Sequence, residues 1–230
     1  MIKIGILTYQ YSNNYGGVLQ SYALYKKLSD LGFNTEIINY IPSHIKLESL
    51  FYRVGFRENK KRPIKILKKL WIKANNSKTI AKKFMDFKNQ NCDLSKKVDE
   101  NSIFDILNDY KAIIVGSDQI WSPGSRKKRT YFFFFFDKYT GIKINYSADS
   151  TTSKIEENDF ERLKNALNDF DSISVRNEHT RKFVLSLIEK DVPIVVDPTL
   201  LIDFNEFTKN NTDIEYNLKE KYILCYVLGK

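Results

Sequence analysis

The residues best placed to do chemistry fall in three short stretches. Arg176 closes the apolar run Asp171-Ser172-Ile173-Ser174-Val175, and Asn177-Glu178-His179-Thr180 then leads into a helical pattern that reaches Lys190. A guanidinium fork beside a helix amino terminus can converge with unpaired backbone N–H groups on one phosphate or carboxylate. The competing use of Arg176 is an ion pair with a local acid such as Glu178. Asp118 and Gln119 follow the β-branched run Lys111-Ala112-Ile113-Ile114-Val115-Gly116. There they either face a ligand crevice or, for Asp118, cap the next turn. The third stretch is the polar loop Gln10-Tyr11-Ser12-Asn13-Asn14-Tyr15-Gly16-Gly17.

These stretches share a placement, because each follows a short apolar run that reads as a buried parallel strand. Lys3–Tyr9 gives the first strand, and a helix beginning near Val18 carries apolar Leu19, Tyr22, Ala23, Leu28 and Leu31 before Gly32 stops it. Thr35–Tyr40 gives a second strand, closed by Pro42, which completes a β-loop-α-β unit. Further strands are expected at 111–116, 143–148 and 171–176, with a buried one in 193–201 that ends in a turn signal. Helices are expected around 102–108, over 155–170 with Phe160, Leu163 and Leu167 inward, and before Lys190. The alternation predicts an α/β, Rossmann-like, doubly wound and mostly parallel sheet. Ligands bind such sheets at the carboxyl ends of the strands.

The 230 residues and 42% hydrophobic content suit a real core. A net charge of +9 favours an anionic partner. Cys92 and Cys225 stand far apart with no CxxC or Cys/His spacing, which indicates neither a disulfide framework nor a metal site. The opening shows no secretory signal, and no apolar run reaches the length of a transmembrane helix. The expectation is a cytoplasmic protein, at most peripheral to the inner face of a membrane.

From Arg57 to Lys83 eleven Lys/Arg stand against one acid, Glu58, with Ile64, Leu67, Leu70 and Trp71 at helical spacings. This segment either lies on an anionic bilayer or packs its apolar stripe on its own domain. No nucleic-acid module accompanies it, and nucleic acid is not an expected partner. Five phenylalanines, Phe132–Phe136, form a run expected to be buried or docked. The domain reading is 1–203 as one Rossmann-like unit with a basic helical excursion at about 45–95. A linker follows over 204–220, and 221–230 is the opening strand of another domain.

Four stretches, KIGILTYQYSNNYGGVLQSYAL at 3–24, IIVGSDQIW at 113–121, ISVRNEHT at 173–180 and VPIVVDPTLL at 192–201, together resemble the polysaccharide pyruvyl transferase family in order and spacing. The resemblance implies two Rossmann-like halves in a glycosyltransferase-B-like arrangement, with the reaction between them. This chain spans the first half and one strand of the second, so the resemblance further implies a fragment, a complementing C-terminal half or a homo-oligomer. Departures occur at Trp121-Ser122, where the family commonly has Trp-Asn, at Arg176-Asn177, where it often has Arg-Glu, and in Tyr146-Ser147-Ala148-Asp149-Ser150.

The implied chemistry moves a pyruvyl group from phosphoenolpyruvate to a sugar of a cell-surface or exopolysaccharide precursor, which is lipid-linked in one version. Such a step needs cations for the donor, an acid for its methylene carbon and a base near the attacking hydroxyl. The resemblance gives Arg176 the donor anion, Asp118 a catalytic place, and Asn13, Asn14, Tyr15, Gly16 and Gln119 the lining of the cleft. No metal or redox cofactor is implied. The alternatives are a non-catalytic half domain that binds a sugar or a partner, and a nucleotide-sugar glycosyltransferase of similar architecture. The loop at 13–17 lacks the GxGxxG phosphate fingerprint.

Overall fold

The computed structural model describes residues 2–11, 14–43, 79, 81–116, 120–121, 138–150 and 157–205. Five strands form one sheet among them: β1 Lys3–Leu7, β2 Asn34–Ile37, β3 Ala112–Gly116, β4 Ile142–Ala148 and β5 Ser172–Val175. Their order is β2-β1-β3-β4-β5 and every pairing is parallel. The chain therefore turns outward in both directions from β1 and β3, and the switch point of the sheet lies between them. The α/β Rossmann-like expectation is met.

Strand alternation sorts the core into two layers. Ile4, Ile6, Ala112 and Ile114 face Tyr22 and Leu24 of helix α1, Tyr15–Asp30, together with Cys92. Leu7, Ile113, Val115, Ile173 and Val175 face the other way, onto α3, Phe104–Leu107, α4, Glu157–Asn168, and α5, Glu178–Ile188. Both faces being covered explains why the strands read as nearly continuous apolar runs. Helical residues 81–91 form α2, whose Phe87 packs edge-on to Tyr22 at 5.7 Å between centroids. Leu163 and Leu167 are buried as expected, whereas Phe160 is exposed.

Three local readings change. Helix α1 starts at Tyr15 rather than near Val18, because the Asn14 side chain caps it, accepting from the Gly17 N–H at 3.2 Å. Glycines 16 and 17 made that first turn look non-helical, and the cap overrides their low propensity. Regular pairing of the second strand ends at Ile37, though Tyr40 still bridges Val98 and Ile37 bridges Leu94, so the chain returning from the excursion flanks β2.

The expected buried strand in 193–201 is instead a single bridge, Ile194 with Val175, at the outer edge beside β5. Ile194 and Val196 are 47% and 50% exposed, and Pro198–Leu200 is a 3₁₀ turn capped by Asp197. Pro193 and Pro198 lack the N–H groups a ladder needs, which confines the run to an edge.

Gly116 ends β3 where the chain leaves the sheet. A Cβ there would lie 2.3 Å from the Tyr146 carbonyl oxygen on β4, so only glycine fits. The Phe132–Phe136 run, most of the basic stretch 57–83, the 204–220 linker beyond residue 205 and the 221–230 strand lie outside the described residues. No helix among the described residues is long and apolar enough to cross a membrane.

Candidate functional site

A parallel sheet delivers the carboxyl ends of all its strands to one edge, and the polar residues just beyond them meet there. Asp149 follows β4, Arg176 follows β5, and Asp197 follows the single bridge at Ile194. Arg176 reaches both acids. Its Nη2 pairs with Asp149 Oδ2, and its Nη1 lies 3.1 Å from Asp197 Oδ2.

Each carboxylate has further donors. Asp149 Oδ1 accepts from Asn177 Nδ2 at 2.8 Å and from the Thr180 hydroxyl at 3.0 Å. Asp197 Oδ1 accepts from the Thr199 N–H at 3.0 Å and hydroxyl at 2.7 Å, and its Oδ2 accepts from the Gln20 amide of α1. Asn177 also caps α5, its Oδ1 accepting from the Thr180 N–H at 2.9 Å.

Electrostatics follow from this census. Burial pushes the Asp149 carboxyl up, but the Asn177 hydrogen bond, the Arg176 charge and the Thr180 and Arg176 bonds outweigh it and hold the group below the ordinary carboxylate range. Asp197 behaves alike: burial raises it, and the Thr199, Gln20 and Arg176 donors more than offset that. Both acids therefore stay ionised at neutral pH, and the cluster of one guanidinium and two carboxylates carries net negative charge. Fully hydrogen-bonded carboxylates of lowered pKa are weak bases, so their part is to hold geometry.

The corner at β5 and α5 holds a carboxylate through the side chains of Arg176, Asn177 and Thr180, not through the backbone N–H groups that the sequence suggested. The anion it holds in the structure is the chain's own Asp149 carboxylate. The expected local pair with Glu178 does not form, since Glu178 meets Arg181 at 3.2 Å on the surface, where Arg181 also pairs with Asp191 at 2.6 Å.

The other predicted residues divide clearly. Asn14 is the α1 cap, Gly16 lies in the first helical turn, and Tyr15 is 76% exposed with its ring tilted on Phe84 at 4.8 Å. Asn13, Asp118 and Gln119 lie outside the described residues. Trp121, two residues on, is buried and its backbone N–H donates to the Asp149 carbonyl at 3.3 Å, while its own carbonyl accepts from Ser150 Oγ at 3.2 Å.

Sequence reasoning missed Asp149, Asp197, Gln20 and Thr180. The two acids carried a usable signal, since each comes directly after a stretch that reads as a strand. Gln20 carried none, because it reads as one more polar position on a helix.

One hydrogen-bonded path therefore runs from Gln20 through Asp197, Arg176 and Asp149 to Trp121. Each of the four stretches at 3–24, 113–121, 173–180 and 192–201 contributes a member, and Asp149 links them. Among the described residues no three His, Cys, Asp or Glu side chains gather as metal ligands. Comparison with curated proteins gives no match. The profile of one family, polysaccharide pyruvyl transferase, matches residues 14–229, nearly the whole chain. With the four stretches joined at one sheet edge and the profile covering three of them whole and the first from residue 14 on, the chain belongs to the polysaccharide pyruvyl transferase family.

Proposed function

We propose that this protein takes part in moving a pyruvyl group from phosphoenolpyruvate to a sugar of a cell-surface or exopolysaccharide precursor. In this reading the described sheet edge is one wall of a cleft, and a second Rossmann-like half is the other. The donor's methylene carbon takes a proton, one sugar hydroxyl adds to C2 and gives up its proton, and the C2–O bond to phosphate breaks. A second hydroxyl then closes a ketal on the same carbon. The donor brings a phosphate and a carboxylate, and desolvating them needs fixed cations and N–H groups.

The observation that supports this reading best is the anion-holding corner of Arg176, Asn177 and Thr180. Asp197 meets Arg176 through Nη1 and keeps its Thr199 and Gln20 donors if that contact is exchanged. The donor's anionic group takes that side of the guanidinium, with Asp149 remaining on the other. The loop that ends in Asn14 and Tyr15 faces the acceptor, and Asp118 and Gln119 are proposed beside it. No redox cofactor or metal is part of the scheme. The basic stretch 57–83 is proposed to keep the protein near an anionic membrane surface when the acceptor is lipid-linked.

Phosphate release from phosphoenolpyruvate, measured with and without a panel of sugars, tests this. Sugar-dependent release that falls at least a hundredfold in both Arg176→Ala and Arg176→Lys supports it. Arg176→Lys keeps a cation between the two aspartates, so unfolding does not stand in for lost recognition. Release that persists unchanged in these variants contradicts the role of Arg176, and release indifferent to every sugar contradicts the transfer itself.

A further inference from the structure

Lys88 lies on α2 and is only 3% exposed. Its ammonium donates to the Gln10 carbonyl oxygen at 2.8 Å and to Gln10 Oε1 at 3.3 Å. No carboxylate among the described residues lies within ion-pair distance of it. Burying an ammonium without a counter-charge costs several kcal/mol in general, and a neutral donor would satisfy the same carbonyl without that cost. Stability of the fold alone gives no reason for a lysine here. Departures of this kind concentrate where a chain keeps geometry for function.

The geometry Lys88 keeps is that of the loop leaving β1 at the switch point. Gln10 is itself 1% exposed, and its Nε2 donates onward to Asn39 Oδ1 at 3.0 Å, beyond the end of β2. Four residues before Lys88, Phe84 of the same helix packs on Tyr15 at the loop's far end. Helix α2 therefore holds the loop at both ends, by a charged hydrogen bond at Gln10 and a ring contact at Tyr15. The apolar contact tolerates sliding. The lysine fixes one oxygen pair to one helix position, and so fixes the register of the loop.

We propose that Lys88 is a positioning residue: it sets the β1–α1 loop so that Asn14 and Tyr15 stand where an acceptor sugar meets them. This rests on the reading of the loop as the acceptor wall. Two substitutions test it in the full chain. Lys88→Met keeps the length and apolar stem and removes the charge and its donors, whereas Lys88→Gln keeps one neutral donor.

Amide hydrogen exchange is read first, without ligand. In Lys88→Met, amides of residues 8–11 and those of Gly17 and Val18, which bond to Asn14, exchange at least tenfold faster, while those of β3, β4 and β5 are unchanged and the melting temperature does not fall. Lys88→Gln lies between the Met variant and wild type. Exchange that is unchanged over those residues overturns the proposal, as does protection lost across the whole sheet with a lowered melting temperature. Kinetics come second, using the sugar that supports phosphate release by the wild-type chain. Its KM rises at least tenfold in Lys88→Met while that for phosphoenolpyruvate stays within twofold, and equal changes in both overturn the proposal. If no sugar supports release, the pyruvyl transfer reading fails alone, and the ligand-free exchange still decides the role of Lys88.

Discussion

Two cations stand at the carboxyl edge of one sheet under opposite electrostatic terms. Arg176, half-buried, lies between Asp149 and Asp197, and the donors around those acids complete every contact they need. Lys88, buried more deeply, has only the carbonyl and amide oxygens of Gln10 as acceptors among the described residues. The first arrangement is a brace: opposite charges and many hydrogen bonds tie β4, β5, α1 and α5 together, so that its removal should cost stability. The second places charge where stability is not served, so that its removal should cost local geometry instead. Two cations can share a sheet edge and still have different work.

The sharpest way to break this comparison is to remove the hub of the brace. Asp149→Ala takes from Arg176 its buried partner and from the Asn177 amide its acceptor, while the Thr180 hydroxyl turns to Asn177 Oδ1 at 3.0 Å. The expected loss is about 2–4 kcal/mol in urea unfolding, within the range for broken part-buried charge networks. A loss below about 0.5 kcal/mol, the scale of ordinary surface substitutions, would show that the network is not bracing the edge.

Acid sensitivity is the next effect in size. Both aspartates titrate below their ordinary value when folded, so the unfolded chain binds more protons through that window and stability rises with pH across it. The stabilisation is complete above the ordinary aspartate pKa and is lost as pH falls through the folded values. The double variant Asp149→Asn, Asp197→Asn should be less stable at pH 7 but show a flatter decline below about pH 4 than wild type. Parallel declines would mean that other carboxylates carry the acid limb.

Lys88 titrates in a different window. Burial pushes its ammonium below the ordinary lysine value, with a smaller opposing effect from Cys92. The unfolded chain therefore binds more protons between the folded and ordinary values, and this group contributes rising stability as pH increases through that alkaline window. Cys92, pushed up to about 12 by burial first and then by Asp93, contributes the opposite slope as the unfolded thiol ionises. The informative quantity is thus the difference between wild type and Lys88→Met. The variant should lose the rising component between the folded lysine value and about pH 10.4, and equal slopes would show that the ammonium is solvated.

Much of this was legible in the sequence, for identifiable reasons. Ile4, Ile6, Ile113, Ile114 and Val115 mark buried parallel strands by composition alone, and the polar residues after them mark a carboxyl edge. The family was legible from four short stretches, and Arg176 from its place between a strand and a helix. The brace was not, because its members come from distant parts of the chain: Gln20 and Asp197 are 177 residues apart. Nor was Lys88, one of many lysines in an excursion read as lying on a bilayer or packing its apolar stripe on its own domain. Its burial depends on where α2 lies against the β1 loop, which no local periodicity encodes.

Arg181 gives the comparison its lower bound. It has more acidic partners in a smaller space than Lys88, with Asp191 Oδ1 at 2.7 Å from Nε, Asp191 Oδ2 at 2.6 Å from Nη2 and Glu178 at 3.2 Å from Nη1. Counting contacts would therefore rank it beside Arg176. Water ranks it lower, since exposed pairs gain little in a high dielectric and spend side-chain entropy to hold one geometry. Arg181→Ala should leave the urea midpoint unchanged within error at 0.15 M salt and shift it only slightly at 0.01 M, where screening is weakest. A drop at both salts as large as that of Asp149→Ala would mean that the number of ion pairs, rather than their burial, governs this edge of the sheet.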